Sequence, residues 1–483
     1  MLRKLLPMPF RPLYFALLLA LGTTQLPACA QNPPPAAVAT APPPAARLPW
    51  LQGLLDSSAL LRQHQVGLSL ADAATGEDLF GYQAAKYFTP ASTMKLFSFY
   101  AGLQLLPDSL PSLRYFRRGD TLFVQGTGDP TFLHGDVPSR RAFDFLARSP
   151  GRLALCDIRC VPAFGPGWTW DDYGYYFQPE RGAFPIYGHT VRFYAAAPLV
   201  ARTPVRRGQP AVVAPAVPRV RVLPSYFAPL VGPAPPEMIP PGLDPDTHVL
   251  RPLLENRFYL LPSARKWVDE VPFRTGRPLL LRLLGDTLRR PIVGAPWRPR
   301  PADAVRVLRG LPVDSLYRRM LRVSDNLLAE QLLLMCSSTL GRPDSLSTAR
   351  VIRHAQKTFL KDLPDPVQWV DGSGLSRLDL VTPRTLTALL LRLHREVPES
   401  RLLSLLAAGG RQGTLRKRYF DAAGPWVWGK TGSLTNNVNL CGYLRTKSGR
   451  LLVFSFMNNN EVAEANAMRA EVERVLRQVR ERL

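Results

Sequence analysis

Thr89-Pro90-Ala91-Ser92-Thr93-Met94-Lys95 leads straight into Leu96-Phe97-Ser98-Phe99-Tyr100-Ala101-Gly102-Leu103-Gln104-Leu105-Leu106, an apolar run with helical spacing. Pro90 just ahead of such a run is a helix-start signal, so Ser92 and Lys95 are predicted in the first turn, three residues apart and on one face. A hydroxyl then sits beside an amine at the positive end of a helix. That end favours a developing alkoxide, and an amine whose proton affinity is lowered by burial or by a second cation can take the proton. Taken alone the tetrad is weak, because an N-capping serine followed by a solvated lysine has the same spelling.

The 483 residues, 46% hydrophobic and 20% charged, are enough for a large core and for two or three domains. The formal net charge is +24, a balance that suits nucleic acid, an anionic membrane surface or an acidic polymer. Only nine of the 61 basic residues are Lys, however, and the Arg residues are scattered along the whole chain. There is no Lys/Arg block interleaved with aromatics, no zinc-finger spacing and no RNP-like run. A diffuse basic surface is therefore expected, and no nucleic-acid partner.

The compartment is read from the start of the chain. Arg3, Lys4 and Arg11 precede the apolar run Leu13 to Leu21, which is shorter than the roughly 20 residues a bilayer requires. Residues 1–30 thus read as a secretory signal peptide. Leu26-Pro27-Ala28-Cys29 approximates a lipobox, with Cys29 as the lipid-bearing residue, whereas Ala28-Cys29-Ala30 fits ordinary signal peptidase. The first pattern is favoured because it gives an otherwise unpaired cysteine a use. Either pattern predicts an exported, periplasmic or cell-envelope protein. Residues 31–47 are a Pro/Ala-rich linker. Cys156, Cys160, Cys336 and Cys441 match no metal spacing, so neither metal nor cofactor is expected. A Cys156–Cys160 disulfide and buried free thiols both remain open.

Along the folded body, Gln65 to Leu70 alternates like a strand, Ala74-Thr75-Gly76-Glu77-Asp78 is a turn, and Leu79 to Tyr82 starts a return strand. Residues 112–298 are irregular and Pro-rich, with strand-like runs at Thr121 to Val124 and Leu279 to Leu284. Gly126-Thr127-Gly128-Asp129-Pro130-Thr131 lacks the Gly-Lys-Ser/Thr ending of a phosphate loop and reads as a tight turn. The aromatic cluster Gly167-Trp168-Thr169-Trp170-Asp171-Asp172-Tyr173-Gly174-Tyr175-Tyr176 is either a packed loop or a substrate wall with a carboxylate. Regular structure returns near residue 300: helices around Val313 to Leu321, Leu327 to Met335 and Pro383 to His394, strands at Trp426 to Gly432, Val438 to Leu444 and Leu451 to Met457, and a last amphipathic helix. The early hairpin and the late strands suit one antiparallel sheet of about five strands flanked by helices, an α+β domain made of residues 48–111 and 299–483 with 112–298 inserted as a β-rich region.

Three short motifs stand in one order: Ser92-x-x-Lys95, Ser324-Asp325-Asn326 and Lys430-Thr431-Gly432. Each is weak, but the ordered set, at a helix start, between helices and on a strand, is strong. These residues resemble the penicillin-binding, serine-acylating family that includes D-Ala-D-Ala peptidases and serine β-lactamases. Ser324 stands 229 residues after Lys95, more than a β-lactamase needs, and that gap resembles the low-molecular-mass class C penicillin-binding proteins, the D-Ala-D-Ala carboxypeptidase/endopeptidase group. Gly128-Asp129-Pro130, the Gly167 to Asp172 cluster, Asp371 to Arg377, Gly413-Thr414-Leu415 and Lys430 to Leu434 are similar to that group too.

The resemblance implies a penicillin-binding transpeptidase/β-lactamase-like fold and a serine carboxypeptidase acting on peptidoglycan stem peptides, with β-lactams as inhibitors. It implies Ser92 as nucleophile, Lys95 as base, kept neutral by Lys430 nearby, Ser324 as proton relay and Asn326 as holder of the substrate amide and of Lys95. Backbone N–H groups of Ser92 and Ser433 would form the oxyanion hole, while Lys430, Thr431 and Gly432 would hold the terminal carboxylate. Arg377 and Asp172 match positions beside the peptide side chain; for Arg377 a salt bridge fixing the Asp371 loop is the structural alternative. Asp325 is expected to satisfy backbone groups. The competing readings are a β-lactamase or esterase on the same scaffold and an inactive wall-binding lipoprotein.

Overall fold

The computed structural model describes residues 48–137, 139–196, 220–263, 265–341 and 344–483; the expected signal segment with Cys29, and the 31–47 linker, lie outside the described residues. Helix α1 (Pro49–Asp56) leads to the hairpin β1 (Gln65–Asp72) and β2 (Asp78–Tyr82). Asp72 closes this hairpin by accepting the N–H groups of Ala74 and Thr75 at 2.9 and 3.0 Å. A 3-10 turn, Ala91–Met94, and helix α2 (Lys95–Leu105) follow.

The chain then enters a mixed five-stranded sheet. Its strands are β3 (Ser109–Arg118), β4 (Thr121–Gly126), β5 (Arg152–Cys156), β6 (Ile292–Ala295) and β7 (Arg306–Pro312), in the order β6-β5-β4-β3-β7. Two three-stranded sheets lie between β5 and β6 in sequence, one of them built from Thr190–Ala195, Val220–Leu223 and Trp267–Pro272. Because β3 begins at Ser109 and β7 ends at Pro312, this sheet reaches beyond residues 112 and 298 on both sides. Leu279 to Leu284 is not a strand. It lies in helix α3 (Arg277–Leu288), which has Pro278 in its first turn. A short apolar run broken only by Arg282 has no clear period to distinguish the two states, and here the Pro start and the leucines favour helix.

Helices α4 (Val313–Arg322), α5 (Asn326–Thr339) and α6 (Pro383–Glu396) precede the remaining strands β8 (Ala407–Ala408), β9 (Val427–Leu434), β10 (Asn437–Arg445) and β11 (Leu451–Asn459), and helix α7 (Ala465–Arg482) ends the chain. The sheet has six strands in the order β8-β9-β10-β11-β1-β2, all antiparallel, the sixth being the two-residue β8. Sequence-distant ends meet in it, with Gln65 opposite Asn459 and Asp72 opposite Leu452.

Both faces of this sheet are covered. Along β11, Leu452, Phe454 and Phe456 pack with α1 and α7, while Val453 and Met457 pack with α2, α5 and α6. That double burial is why the strand reads as a nearly continuous apolar run. A third apolar core, including Leu122, Leu146, Phe193, Phe227 and Phe258, belongs to the middle region. The fold is therefore an α+β domain with an antiparallel sheet flanked by helices. The four described cysteines, Cys156, Cys160, Cys336 and Cys441, are free thiols.

Candidate active site

The turn carrying Ser92 is a 3-10 turn, not the α-helical first turn that the sequence predicts. Ala91, just before the serine, has φ +50°, and the α-helix begins only at Lys95. A 3-10 turn eclipses residues i and i+3, so it holds the two side chains directly beside each other. Lys95 Nζ lies 2.8 Å from Ser92 Oγ. The serine is half-buried and the lysine fully buried.

Lys95 has two further partners. Asn326 Oδ1 accepts from its amine at 2.5 Å and the Ser373 carbonyl at 2.6 Å. The orientation of the Asn326 amide is fixed by its other end, which donates through Nδ2 to the Phe177 carbonyl at 2.8 Å. Two of the three partners are thus acceptors only. A neutral amine has two N–H groups and one lone pair, so with both N–H groups taken its lone pair faces Ser92.

Ser324 sits at φ +65°, in the left-handed region, immediately before α5. Asp325 caps that helix by accepting Leu328 N–H at 3.1 Å, and Arg319 holds its other oxygen at 3.0 Å. Lys430, on β9, donates to Ser324 Oγ at 2.8 Å and to the Thr431 carbonyl at 2.7 Å. Gly432 is where β9 presses on the serine turn: a Cβ there would lie 2.5 Å from the Pro90 carbonyl oxygen, which only glycine avoids. Thr431 Oγ1 donates to Thr414 Oγ1 at 2.9 Å, and the exposed Ser433 Oγ accepts from Arg469 at 3.4 Å.

Both lysines are held below the ordinary lysine range, and burial is the main cause for each. Lys95 comes down to about 8, with Asp371, Asp325, Glu330 and Asp379 facing it and opposing the fall. Lys430 falls well below its ordinary value, because burial is reinforced by the positive Lys95 and, among the described residues, opposed only by Cys441. The like-charge effect expected on Lys95 therefore acts chiefly on Lys430.

The aromatic cluster reaches this site from the middle region. Trp168 Nε1 donates to Asp371 Oδ2 at 2.7 Å, and Phe177 supplies the carbonyl for Asn326. Between them Trp170 and Tyr176 are 73% and 66% exposed. Asp172, half-buried, accepts from Thr169 Oγ1 at 2.6 Å within the same loop. Arg377 is exposed and donates to the Thr435 carbonyl at 3.3 Å, and among the described residues it makes no salt bridge with Asp371 or Asp172. The Asp371 loop is instead fixed by Asp371 itself, whose oxygens accept Gly374 N–H at 2.6 Å and Ser376 N–H at 2.8 Å.

Sequence reasoning missed Glu330 and Arg181. Glu330 is a carboxylate in a helical stretch that is apolar but for it and Gln331, which was a readable signal that a buried partner must exist. Nothing in the sequence points to Arg181 as that partner.

The model of the D-Ala-D-Ala carboxypeptidase 3 (S13) family matches residues 51–192 and 281–479, well over half of the chain. The carboxypeptidase DacB of Mycolicibacterium smegmatis is 32% identical over 168 residues, 33% of this chain and 36% of that protein. A carboxypeptidase of Mycobacterium tuberculosis is 36% identical over 169 residues, again 33% of this chain and 36% of the relative. The alignments thus span about a third of the length of these curated relatives. Penicillin binding protein 4 (DacB) of Haemophilus influenzae is similar in fold, with a TM-score of 0.67 at 19% identity over 89% of this chain and 98% of that one.

Proposed function

The chain belongs to the D-Ala-D-Ala carboxypeptidase 3 (S13) family, and from that premise we propose that it is an exported serine D-Ala-D-Ala carboxypeptidase/endopeptidase that cleaves peptidoglycan stem peptides through an acyl-enzyme. The observation that carries this reading is the Lys95 amine, whose two acceptor-only partners leave its lone pair to Ser92 Oγ at 2.8 Å.

Ser92 Oγ attacks the carbonyl of the penultimate D-Ala as its proton passes to Lys95 Nζ. The tetrahedral oxyanion is stabilised by the backbone N–H groups of Ser92 and Ser433. Collapse breaks the C–N bond, and Ser324 relays a proton to the departing D-Ala amine. A water then hydrolyses the ester: Lys95 takes its proton and returns it to Ser92 Oγ as the acyl C–O bond breaks. Lys430, Thr431 and the close approach at Gly432 hold the terminal carboxylate, and Asn326 holds both the substrate amide and Lys95. Binding of that carboxylate beside Lys430 draws the proton shared by the coupled lysines towards Lys430, which leaves Lys95 neutral when the reaction begins.

Asp172 and Arg377, of opposite charge, act on the stem-peptide side chain. The inserted middle, residues 112–298, limits the size of peptide that reaches Ser92. A lipid on Cys29 tethers the mature protein to a membrane.

The test is acylation and product release together. The full chain takes a fluorescent penicillin on Ser92 and releases D-Ala from a peptide ending in D-Ala-D-Ala, and Ser92→Ala does neither. Mass spectrometry of muropeptides separates loss of one terminal D-Ala from cleavage of cross-links. No adduct and no released D-Ala would refute the reading, and a penicillin adduct that turns over within seconds would shift it to a β-lactamase.

A further inference from the structure

A buried ion pair that does not touch Ser92 is nonetheless connected to Lys95. Glu330 stands four residues beyond Asn326 on α5 and is fully buried, and its Oε2 accepts from Arg181 Nη1 at 2.8 Å. Its Oε1 accepts the N–H groups of Gly372 and Ser373 at 2.7 and 2.8 Å. A Cβ at Gly372 would come within 2.7 Å of the Ala329 carbonyl oxygen, so glycine is what lets this loop lie flat on the helix. The carbonyl of Ser373 then accepts from Lys95 at 2.6 Å. At the other end, Arg181 comes from the middle region, where it also donates to the Pro162 and Phe164 carbonyls, each at 3.0 Å. Hydrogen bonds thus run from residues 162–181 through a charged pair and two peptide groups to the amine beside Ser92.

Resting on the reading of Ser92 as the acylated serine and Lys95 as its base, we propose that Glu330 and Arg181 are positioning residues for Lys95. The pair clamps the Gly372 and Ser373 N–H groups so that the Ser373 carbonyl occupies one N–H of the amine and the lone pair stays on Ser92. A buried ion pair is a poor source of stability compared with apolar residues of the same volume, so fixing one geometry is the role that accounts for it. Its charge acts on the same amine. Lys95 faces Glu330 from α5, Asp325 from the cap of that helix, and Asp371 and Asp379 from the segment that follows Trp369, while Lys430 on β9 is the neighbour whose own proton affinity Lys95 lowers. Arg181 stands behind Glu330. Deleting the Glu330 charge while Arg181 remains therefore lowers the proton affinity of Lys95.

The experiment measures the rate constant for acylation by a fluorescent penicillin against pH, on the full chain and three variants, with thermal unfolding of each. For Glu330→Gln the midpoint of the rising limb moves down by about one pH unit, and the plateau falls about tenfold as the amine loses its fixed geometry. Arg181→Lys keeps the charge but not the fork, so its midpoint stays with the parent and only its plateau falls. The double variant Arg181→Met/Glu330→Gln leaves no buried charge unpaired and covers the case in which Glu330→Gln does not fold; its plateau also falls about tenfold. A lowered unfolding temperature with the parent's midpoint and plateau in Glu330→Gln, or with the parent's plateau in the double variant, would overturn the proposal. A parent that takes no penicillin at any pH would instead sink the acyl-enzyme reading on which it rests.

Discussion

The two lysines of the site occupy opposite surroundings. Lys95 is embedded in acceptors, with Asn326 Oδ1 and the Ser373 carbonyl on its amine and four carboxyl groups facing it. Lys430 has two hydrogen-bonded partners among the described residues, Ser324 Oγ and the Thr431 carbonyl, and among those residues no carboxylate acts on it. Burial alone would treat the two amines alike. The asymmetry of acids sorts them: Lys95 is held in place with an adjustable proton, and Lys430 is left wanting an anion. On the proposed mechanism a ligand carboxylate would supply what the Lys430 side lacks and so set the state of the Lys95 side.

The comparison breaks outright if Lys95 is dispensable: Lys95→Met should lower the acylation rate constant at least a thousandfold with unfolding temperature little changed, since no second base bonds Ser92 among the described residues. Next in size, Lys430→Met should lower kcat/KM for a D-Ala-D-Ala peptide about a hundredfold. Because Lys430 is uncharged where Lys95 titrates, the midpoint of the pH profile should stay with the parent, and a shift of a full unit would contradict the assignment of the two roles. In the parent the active form has neutral Lys95, whose amine is held at about 8. Acylation should therefore climb with pH and level off above that value, falling about tenfold per unit below it. The smallest effect tests the acid side alone. Trp168→Phe removes the indole donor from Asp371 Oδ2 and should cost about 1–3 kcal/mol of stability, read by denaturant unfolding.

Much of this was legible in the chain. The Ser92-x-x-Lys95 tetrad, Ser324-Asp325-Asn326 and Lys430-Thr431-Gly432 carry their chemistry in residue type and spacing, and the alternation of Gln65 to Leu70 announced a strand. Local geometry was less readable. The 3-10 turn at Ser92 depends on Ala91 in the left-handed region and on β9 pressing against Pro90, contacts 300 residues and more away in sequence. Leu279 to Leu284 became helix because a short leucine run broken only by Arg282 has no period to decide it.

By itself, then, the sequence determined which groups are available for the chemistry and the order in which they enter an α+β sheet closed by its two ends. Tertiary structure decided what those groups do to one another. Only folding brings Glu330 and Arg181, 149 residues apart, into one ion pair, points the Phe177 carbonyl at Asn326, and leaves Arg377 beside Thr435 instead of Asp371. Proton affinity follows burial and the charges within a few ångströms, and neither quantity exists in a chain until distant segments have packed.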